Sequence, residues 1–227
     1  MNRSCLIRIR KFVFLMLLLN MPIIMAACGG SSQKDSTPQF VAPESWATYS
    51  ICNSRCSISI PNTLEKRNWN SQYSQGLRQR TGQYHPDVDM FQQKGLDNTE
   101  MPKADEHYCR VIVQSYAGYR GEYLSSMETV PIIGEFRDAL RQLVDSEIAG
   151  WPLLAQPTYR WIDIDNRNKA VEIKYRRLGN NGNTTNGTIY LLFNSDIMVK
   201  MIVAYRESEA ELWLPDVQNI IYTFKWK

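Results

Sequence analysis

The sequence is poor in the residues on which most catalytic motifs depend. Its 227 residues include only two histidines, His85 and His107, and five cysteines. No zinc-protease, deaminase, nucleophile-elbow or phosphate-binding glycine motif occurs in it. His107 and Cys109 fall two residues apart and could form a Cys–His pair, but a cysteine inside a strand usually serves packing. The sequence therefore predicts a protein that is not an enzyme and that needs no cofactor and no metal.

A strong excess of charge of either sign is also missing. The whole chain has 26 basic and 23 acidic residues, and four of the basic ones (Arg3, Arg8, Arg10 and Lys11) lie among residues 1–27. Without that segment the chain has 22 basic residues against 23 acidic ones. A nearly neutral chain lacks the basic surface by which proteins bind phosphate backbones, so no nucleic-acid partner is expected.

Residues 1–27 have the layout of an export signal, with basic residues followed by an apolar stretch over Phe12–Met25. That stretch is shorter than the roughly 20 apolar residues that a membrane span needs. It ends in Met25-Ala26-Ala27-Cys28, which resembles the lipobox of bacterial lipoproteins. The resemblance implies cleavage before Cys28 and fatty acylation of its thiol. An ordinary secretory signal and an uncleaved anchor are the alternatives.

The signal is followed by a short tether and one domain. Residues 28–42 are rich in glycine, serine and glutamine and lack hydrophobic periodicity, as expected of a flexible tether. Residues 43–227 suit a single domain. Gly29 stands where an aspartate would retain an enteric lipoprotein at the inner membrane. We therefore expect the protein in the cell envelope, lipid-anchored, at the outer membrane and facing the periplasm.

Three cysteines remain in the predicted domain: Cys52, Cys56 and Cys109. An odd number allows at most one internal disulfide, and in an oxidising compartment a bridge between Cys56 and Cys109 is a candidate because both are expected to face a core. Unpaired buried thiols are the alternative. The three-residue spacing of Cys52 and Cys56 is neither a metal motif nor the two-residue redox spacing.

The second half of the chain predicts an antiparallel sheet. Residues 170–178 alternate, with Val171, Ile173 and Tyr175 on one side and charged residues on the other. The segments 188–193 and 197–205 follow after connections too short for parallel crossovers. A helix is expected after Pro131 and another from a capping box at Ser208. The predicted fold class is α+β, mainly antiparallel, with a late four-strand meander flanked by helices.

This order resembles the PsbP-like fold, named for an extrinsic photosystem subunit that lies on a membrane-bound complex. The resemblance covers residues 56–226 and depends on Ser57-Ile58-Ser59-Ile60-Pro61, the late hairpins and the closing helix before Thr223-Phe224. It implies an accessory or adaptor protein without chemistry of its own. Such a protein would bind another envelope protein.

A polar insertion at about residues 62–106 carries the residues that we single out as a binding surface. They combine aromatic, arginine and amide groups, which suit protein interfaces and sugar stacking alike: Trp69, Tyr73, Arg78, Arg80 and Tyr84. In the alternative interpretation, Trp69 and Tyr73 are the buried side of a short helix. A glycan or cell-wall-fragment binding module is therefore the second functional hypothesis. A concave aromatic groove would favour it, and a flat apolar patch would favour a protein partner.

The mature protein should carry lipid on Cys28. Small residues before the cysteine admit the signal peptidase, and only a thiol accepts the thioether-linked diacylglycerol. Mass spectrometry of the N-terminal peptide should show an acylated Cys28 as the first residue. An unmodified cysteine, or an intact Met1, would contradict the lipoprotein hypothesis.

Overall fold

The computed structural model describes residues 40–67, 88–94, 107–148, 150–179 and 182–227. Within these ranges the chain forms ten strands, two α-helices and two short 3₁₀ helices. The strands are β1 Ala47–Ile51, β2 Cys56–Ile60, β3 Leu64–Lys66, β4 Asp89–Gln93, β5 Cys109–Ala117, β6 Thr158–Asp165, β7 Asn168–Leu178, β8 Thr184–Asn194, β9 Ile197–Arg206 and β10 Lys225–Trp226. The helices are α1 Gly134–Ile148 and α2 Ala210–Val217, with 3₁₀ turns at Glu207–Glu209 and Ile220–Thr223.

Seven strands form one antiparallel sheet in the order β3-β4-β5-β9-β8-β7-β6. The predicted meander is confirmed, because β7, β8 and β9 are consecutive antiparallel neighbours. Ile189 lies opposite Ile173 on one side and Ile202 on the other, which sets the register of the three strands. The fold class is α+β and mainly antiparallel, as the sequence predicts.

Helix α1 covers one face of this sheet. Its buried residues recur at three-to-four spacing, which places them in one stripe along the helix: Phe136, Ala139, Leu140, Leu143, Val144 and Ile148. The stripe packs on the strand residues of the same core, among them Val171, Ile173 and Leu191. Helix α1 therefore packs on the apolar face of β7 that the alternation predicts.

A second layer covers the other face. Strand β2 lies between β1 and β10 in a small antiparallel sheet, so the last strand of the chain pairs with an early one. Helix α2 and the following 3₁₀ turn complete this layer. Val217, Ile220, Ile221 and Phe224 are all buried there.

One charged residue lies inside the α1 layer. Lys200, in the middle of β9, is only 2% exposed, and its Nζ lies 2.9 Å from Oε2 of Glu147 on α1. A buried ammonium group is costly unless a charged partner accepts its hydrogen bonds. The ion pair therefore constrains where α1 can lie on the sheet.

Two local predictions are wrong. The sequence predicts a strand over residues 188–193 only, but residues 184–187 also belong to β8, and Gly187 lies opposite Tyr175. A Cβ at Gly187 would lie 2.1 Å from the Tyr175 ring, so only glycine fits under that ring. The capping box at Ser208 does not form either: α2 begins after Glu209 without a side-chain cap.

Strand β1 was also not expected from the sequence. Four of its five residues, Ala47 to Ser50, lie at least partly in solvent, and only Ile51 is buried. Such a strand lacks the alternation by which strands are recognised. Its place is set by pairing with β2.

Truncation of Ile220 tests the second layer. Ile220 is fully buried, so Ile220→Ala should lower the free energy of unfolding by about 2–4 kcal/mol through lost burial and the cavity left behind. Leu212→Ala, on an α2 side chain that is 52% exposed, should cost less than about 1 kcal/mol. Urea unfolding of both variants measures the difference. Equal costs would show that α2 and the 3₁₀ turn dock differently.

Candidate binding groove

A groove of about 790 Å³ lies between the large sheet and the α2 layer. Strands β6 to β9 supply its floor and one wall, and residues from Leu214 to Tyr222 supply the other wall. Polar and aromatic side chains predominate among those that line it: Arg160, Glu172, Lys174, Asn186, Tyr190, Tyr205 and Tyr222. This is within the size range of ligand-binding clefts.

The groove begins where the second layer stops covering the sheet. Along the same face of β7, Ala170 belongs to the core beneath that layer, whereas Glu172, Lys174 and Arg176 line the groove. Neighbouring β8 shows the same change from Leu192 in the core to Thr188 in the groove. Successive residues on one face lie about 7 Å apart along a strand. The groove therefore continues the row of core residues along the same face of β7 and β8, with polar residues in place of apolar ones.

A buried carboxylate forms part of the groove floor. Glu172 is 6% exposed, and it accepts a hydrogen bond from Nε of Arg160 at 2.5 Å. Nζ of Lys174 lies 3.6 Å from its other oxygen. Arg160 itself is 63% exposed and crosses from β6. The carboxylate is thus already paired, and the two cationic groups beside it remain accessible to a ligand.

Tyrosines form the aromatic part of the lining. Burial raises the pKa of Tyr190, which lies 5% exposed at the boundary between core and groove. Burial also raises the pKa of Tyr205, whose hydroxyl is hydrogen-bonded to the side chain of Asn186. Both phenols stay neutral at physiological pH, so the groove presents uncharged hydroxyl groups between charged ones.

The rim carries an ion pair and an exposed leucine. Nη2 of Arg176 lies 2.7 Å from Glu207 at one end. Leu214 of α2, which belongs to the lining, is 40% exposed. A ligand that enters the groove would contact apolar as well as charged groups.

His107 and Cys109 do not come together. His107 is exposed, and its Nδ1 lies 3.2 Å from Oε1 of Glu209. Cys109 is fully buried, and burial raises the pKa of its thiol. Burial acts to raise the pKa of Glu209, but hydrogen bonds from Trp213, Tyr108 and His107 lower it by more, so the pKa lies below its ordinary value. Glu209 therefore ties the start of α2 to β5, and the arrangement is structural.

The structure places the other sequence-predicted residues in two groups. Cys28 and the insertion residues Trp69, Tyr73, Arg78, Arg80 and Tyr84 lie outside the described residues. Cys56 and Cys109 belong to the same core, as expected, and both are free thiols. The thiol of Cys56 is hydrogen-bonded to that of Cys52.

Sequence reasoning missed the groove itself. Its signal was present, because Glu172, Lys174 and Arg176 were recognised as the wet face of a strand. The alternation does not predict the position of α2, which lies beside this face and turns an open surface into a cleft.

No protein-family model and no curated protein matches the chain. Solved structures do match. CyanoP, the cyanobacterial PsbP of Synechocystis sp. PCC 6803, shares 13% identity at a TM-score of 0.47 and covers 89% of this chain and 99% of its own. The Ran-binding protein Mog1p of Saccharomyces cerevisiae shares 10% identity at a TM-score of 0.41, and the match covers 80% of this chain and 95% of Mog1p.

A crystal structure from Bacteroides thetaiotaomicron VPI-5482 shares 9% identity at a TM-score of 0.41 and covers 79% of this chain and 48% of that one. This chain thus spans about half the length of that protein. PsbP is among the structural neighbours, as the sequence resemblance implies. Because all of these TM-scores are below 0.5, the similarities indicate neither an activity nor a partner for this chain.

Two further observations concern the described part of the chain alone. None of its helices has the length and apolarity that a membrane crossing requires. It also contains no cluster of three or more histidine, cysteine or acidic side chains placed to hold a metal ion.

Replacement of Tyr190 tests its burial through pH dependence. Burial raises the pKa of Tyr190 in the folded protein above its unfolded value near 10. The contribution of the neutral Tyr190 to stability is therefore fully present below about pH 10 and is lost as the pH rises through the folded pKa. Tyr190→Phe should therefore flatten the decline by up to about 1.4 kcal/mol per pH unit. Urea unfolding at several alkaline pH values measures the slope. Tyr119→Phe, on a side chain that is 87% exposed, is the control. An unchanged slope in Tyr190→Phe would contradict the assignment.

Proposed function

We propose that this chain is a non-catalytic accessory protein of the bacterial cell envelope, which binds a segment of another envelope protein in the groove. The observation that carries the proposal is the groove itself, with tyrosines, cations of β6 and β7 and the exposed Leu214 around one cleft. Tyrosine and arginine are the residues that protein interfaces use most as energetic anchors. The lipid on Cys28 would hold the protein at the membrane, at the outer membrane facing the periplasm.

The charges favour a polypeptide over a neutral ligand. Lys174 and Arg160 are accessible cations above a buried Glu172, so an acidic side chain of a partner would find two donors there. Leu214 at the rim suits an apolar side chain on the same segment. A polypeptide offers both kinds of group at the spacing of successive residues, whereas a neutral sugar chain has no carboxylate for the two cations.

The residues of the groove support a non-catalytic role. General acid–base catalysis needs a proton-transfer group that can reach the substrate. Glu172 is engaged by Arg160, and the described lining includes no histidine and no cysteine. These residues suit recognition.

A glycan or cell-wall fragment is the second candidate. The groove is concave and four tyrosines are among its lining residues, which is the geometry that favours sugar stacking. Hydroxyl groups of Tyr205 and Thr188 and the amide of Asn186 would supply directional hydrogen bonds. This candidate uses the same cleft, so one experiment distinguishes the two.

The test is photocrosslinking in living cells from a photoreactive amino acid in place of Lys174. The partner should be captured there and identified as a protein by mass spectrometry. Arg141, exposed on α1 at the opposite face of the sheet, is the matched control position and should give no crosslink. A photoreactive residue at Tyr73 tests the insertion hypothesis in parallel.

Charge reversal gives an independent measurement of the same prediction. Lys174→Glu and Arg176→Glu should reduce capture at least about tenfold with little change in stability, because both side chains are half exposed. Arg141→Glu should retain capture. A glycan crosslinked at position 174 would support the second candidate. Crosslinks at Tyr73 but not at position 174 would contradict the groove proposal.

A further inference from the structure

The turn between β1 and β2 has an unusual backbone. Cys52, Asn53 and Ser54 have φ values of 54°, 54° and 67°, three left-handed residues in succession without a glycine. Asparagine tolerates this region, whereas cysteine and serine rarely adopt it. Such a conformation persists only where surrounding contacts over-determine it.

Contacts from three other parts of the chain hold the turn. The Cys52 amide donates to Oδ2 of Asp89 on β4 at 3.1 Å. Arg55 forms an ion pair of 2.9 Å with Asp196, in the turn between β8 and β9. The Lys227 amide at the end of the chain donates to the Arg55 carbonyl at 2.9 Å. The turn is therefore a junction between both sheets and the C-terminus.

The consequence of this backbone is the position of two thiols. The side chain of Cys52 is 5% exposed and that of Cys56 is fully buried, and the two thiols are hydrogen-bonded to each other. The Cys52 thiol is also hydrogen-bonded to Ser115 on β5. A three-residue separation in sequence does not predict this contact. The left-handed turn produces it.

The two thiols are not equivalent. The hydrogen bond from Cys56 is the largest cause of a lowered pKa at Cys52, and the same bond, together with burial, raises the pKa of Cys56. Cys52, at 5% exposed, is also the less deeply buried of the two. It is therefore the member of the pair suited to attack a disulfide first, since the thiolate is the nucleophile.

We propose that Cys52 and Cys56 are a redox pair that closes to an intramolecular disulfide by thiol–disulfide exchange with an external disulfide. The Cys52 thiolate attacks one sulfur of that disulfide, which forms a mixed disulfide and releases one thiol. Cys56 then loses its proton and attacks the Cys52 sulfur, which releases the second thiol. Two electrons and two protons pass from the pair to the external disulfide.

The pairing leaves Cys109 as the odd thiol. Cys109 is fully buried in the core, where burial raises the pKa of its thiol, so it is a poor nucleophile. The proposed disulfide lies within the hairpin, whereas the candidate pair predicted from the sequence is Cys56 and Cys109. This inference depends on the hairpin geometry and is independent of the groove.

The test uses the full-length protein in detergent, equilibrated with a mixture of oxidised and reduced glutathione. The protein is quenched, unfolded, alkylated and digested with trypsin without reduction. Cleavage after Lys34, Arg55 and Lys66 puts Cys52 in peptide 35–55 and Cys56 in peptide 56–66. Cys109 lies in peptide 104–110. We expect 35–55 joined to 56–66, and 104–110 alkylated.

Three variants and one condition complete the design. Cys109→Ser should keep the joined peptides. Cys56→Ser should stop with glutathione on Cys52, because the second thiol is missing, and Cys52→Ser should leave Cys56 alkylated. In urea the joined peptides should form at least about tenfold less favourably, because the turn no longer holds the thiols together.

Four results would overturn the proposal: alkylation of all three cysteines, a bridge between 56–66 and 104–110, equal closure in urea, or a Cys52 in Cys56→Ser that glutathione leaves unmodified.

Discussion

The burial of β9 on both faces is the constraint on which the rest of the structure depends. Every residue from Ile197 to Ala204 is buried, so the large sheet needs a cover on each side. Helix α1 supplies one, and the small sheet with α2 supplies the other. Because β9 connects β5 to β8 in the middle of the sheet, neither cover can be lost without exposing apolar residues of the central strands. The single charge in this row, Lys200, is accommodated because Glu147 of α1 lies directly against it.

The groove follows from the unequal extent of the two covers. The core beneath α1 extends along β7 as far as Tyr175, whereas the core beneath the second layer ends at Ala170 on the opposite face. A strand row left without a cover must be polar, and Glu172, Lys174 and Arg176 are the residues that continue it. The α2 segment stands beside this polar row without covering it. The fold and the candidate binding site are thus two parts of one pattern along the strand, in which apolar residues mark where a layer docks and polar residues mark where it does not.

Sequence reasoning recovers the features that depend on local periodicity. The alternation of Val171, Ile173 and Tyr175 predicts the face that α1 covers, and the short connections predict the antiparallel meander. Features that depend on distant contacts are not recoverable in this way. The capping box at Ser208 does not form; Glu209, at the N-cap of α2, accepts hydrogen bonds from Trp213 and Tyr108. The contact between Cys52 and Cys56 is equally hidden, because no local preference places a cysteine at positive φ; contacts from Asp89, Asp196 and Lys227 hold that turn.

The wall of the groove is positioned by the small sheet. Oγ1 of Thr223 accepts a hydrogen bond of 2.9 Å from the Ser59 amide of β2, and Tyr222, the neighbouring residue, lines the groove. At the end of α2, Asp216 accepts a hydrogen bond of 2.9 Å from Thr63. Two bonds to the segment around β2 therefore fix the wall from behind, on the side away from any ligand. A wall fixed in this way loses little conformational freedom when a ligand is bound, so more of the contact energy is retained as affinity.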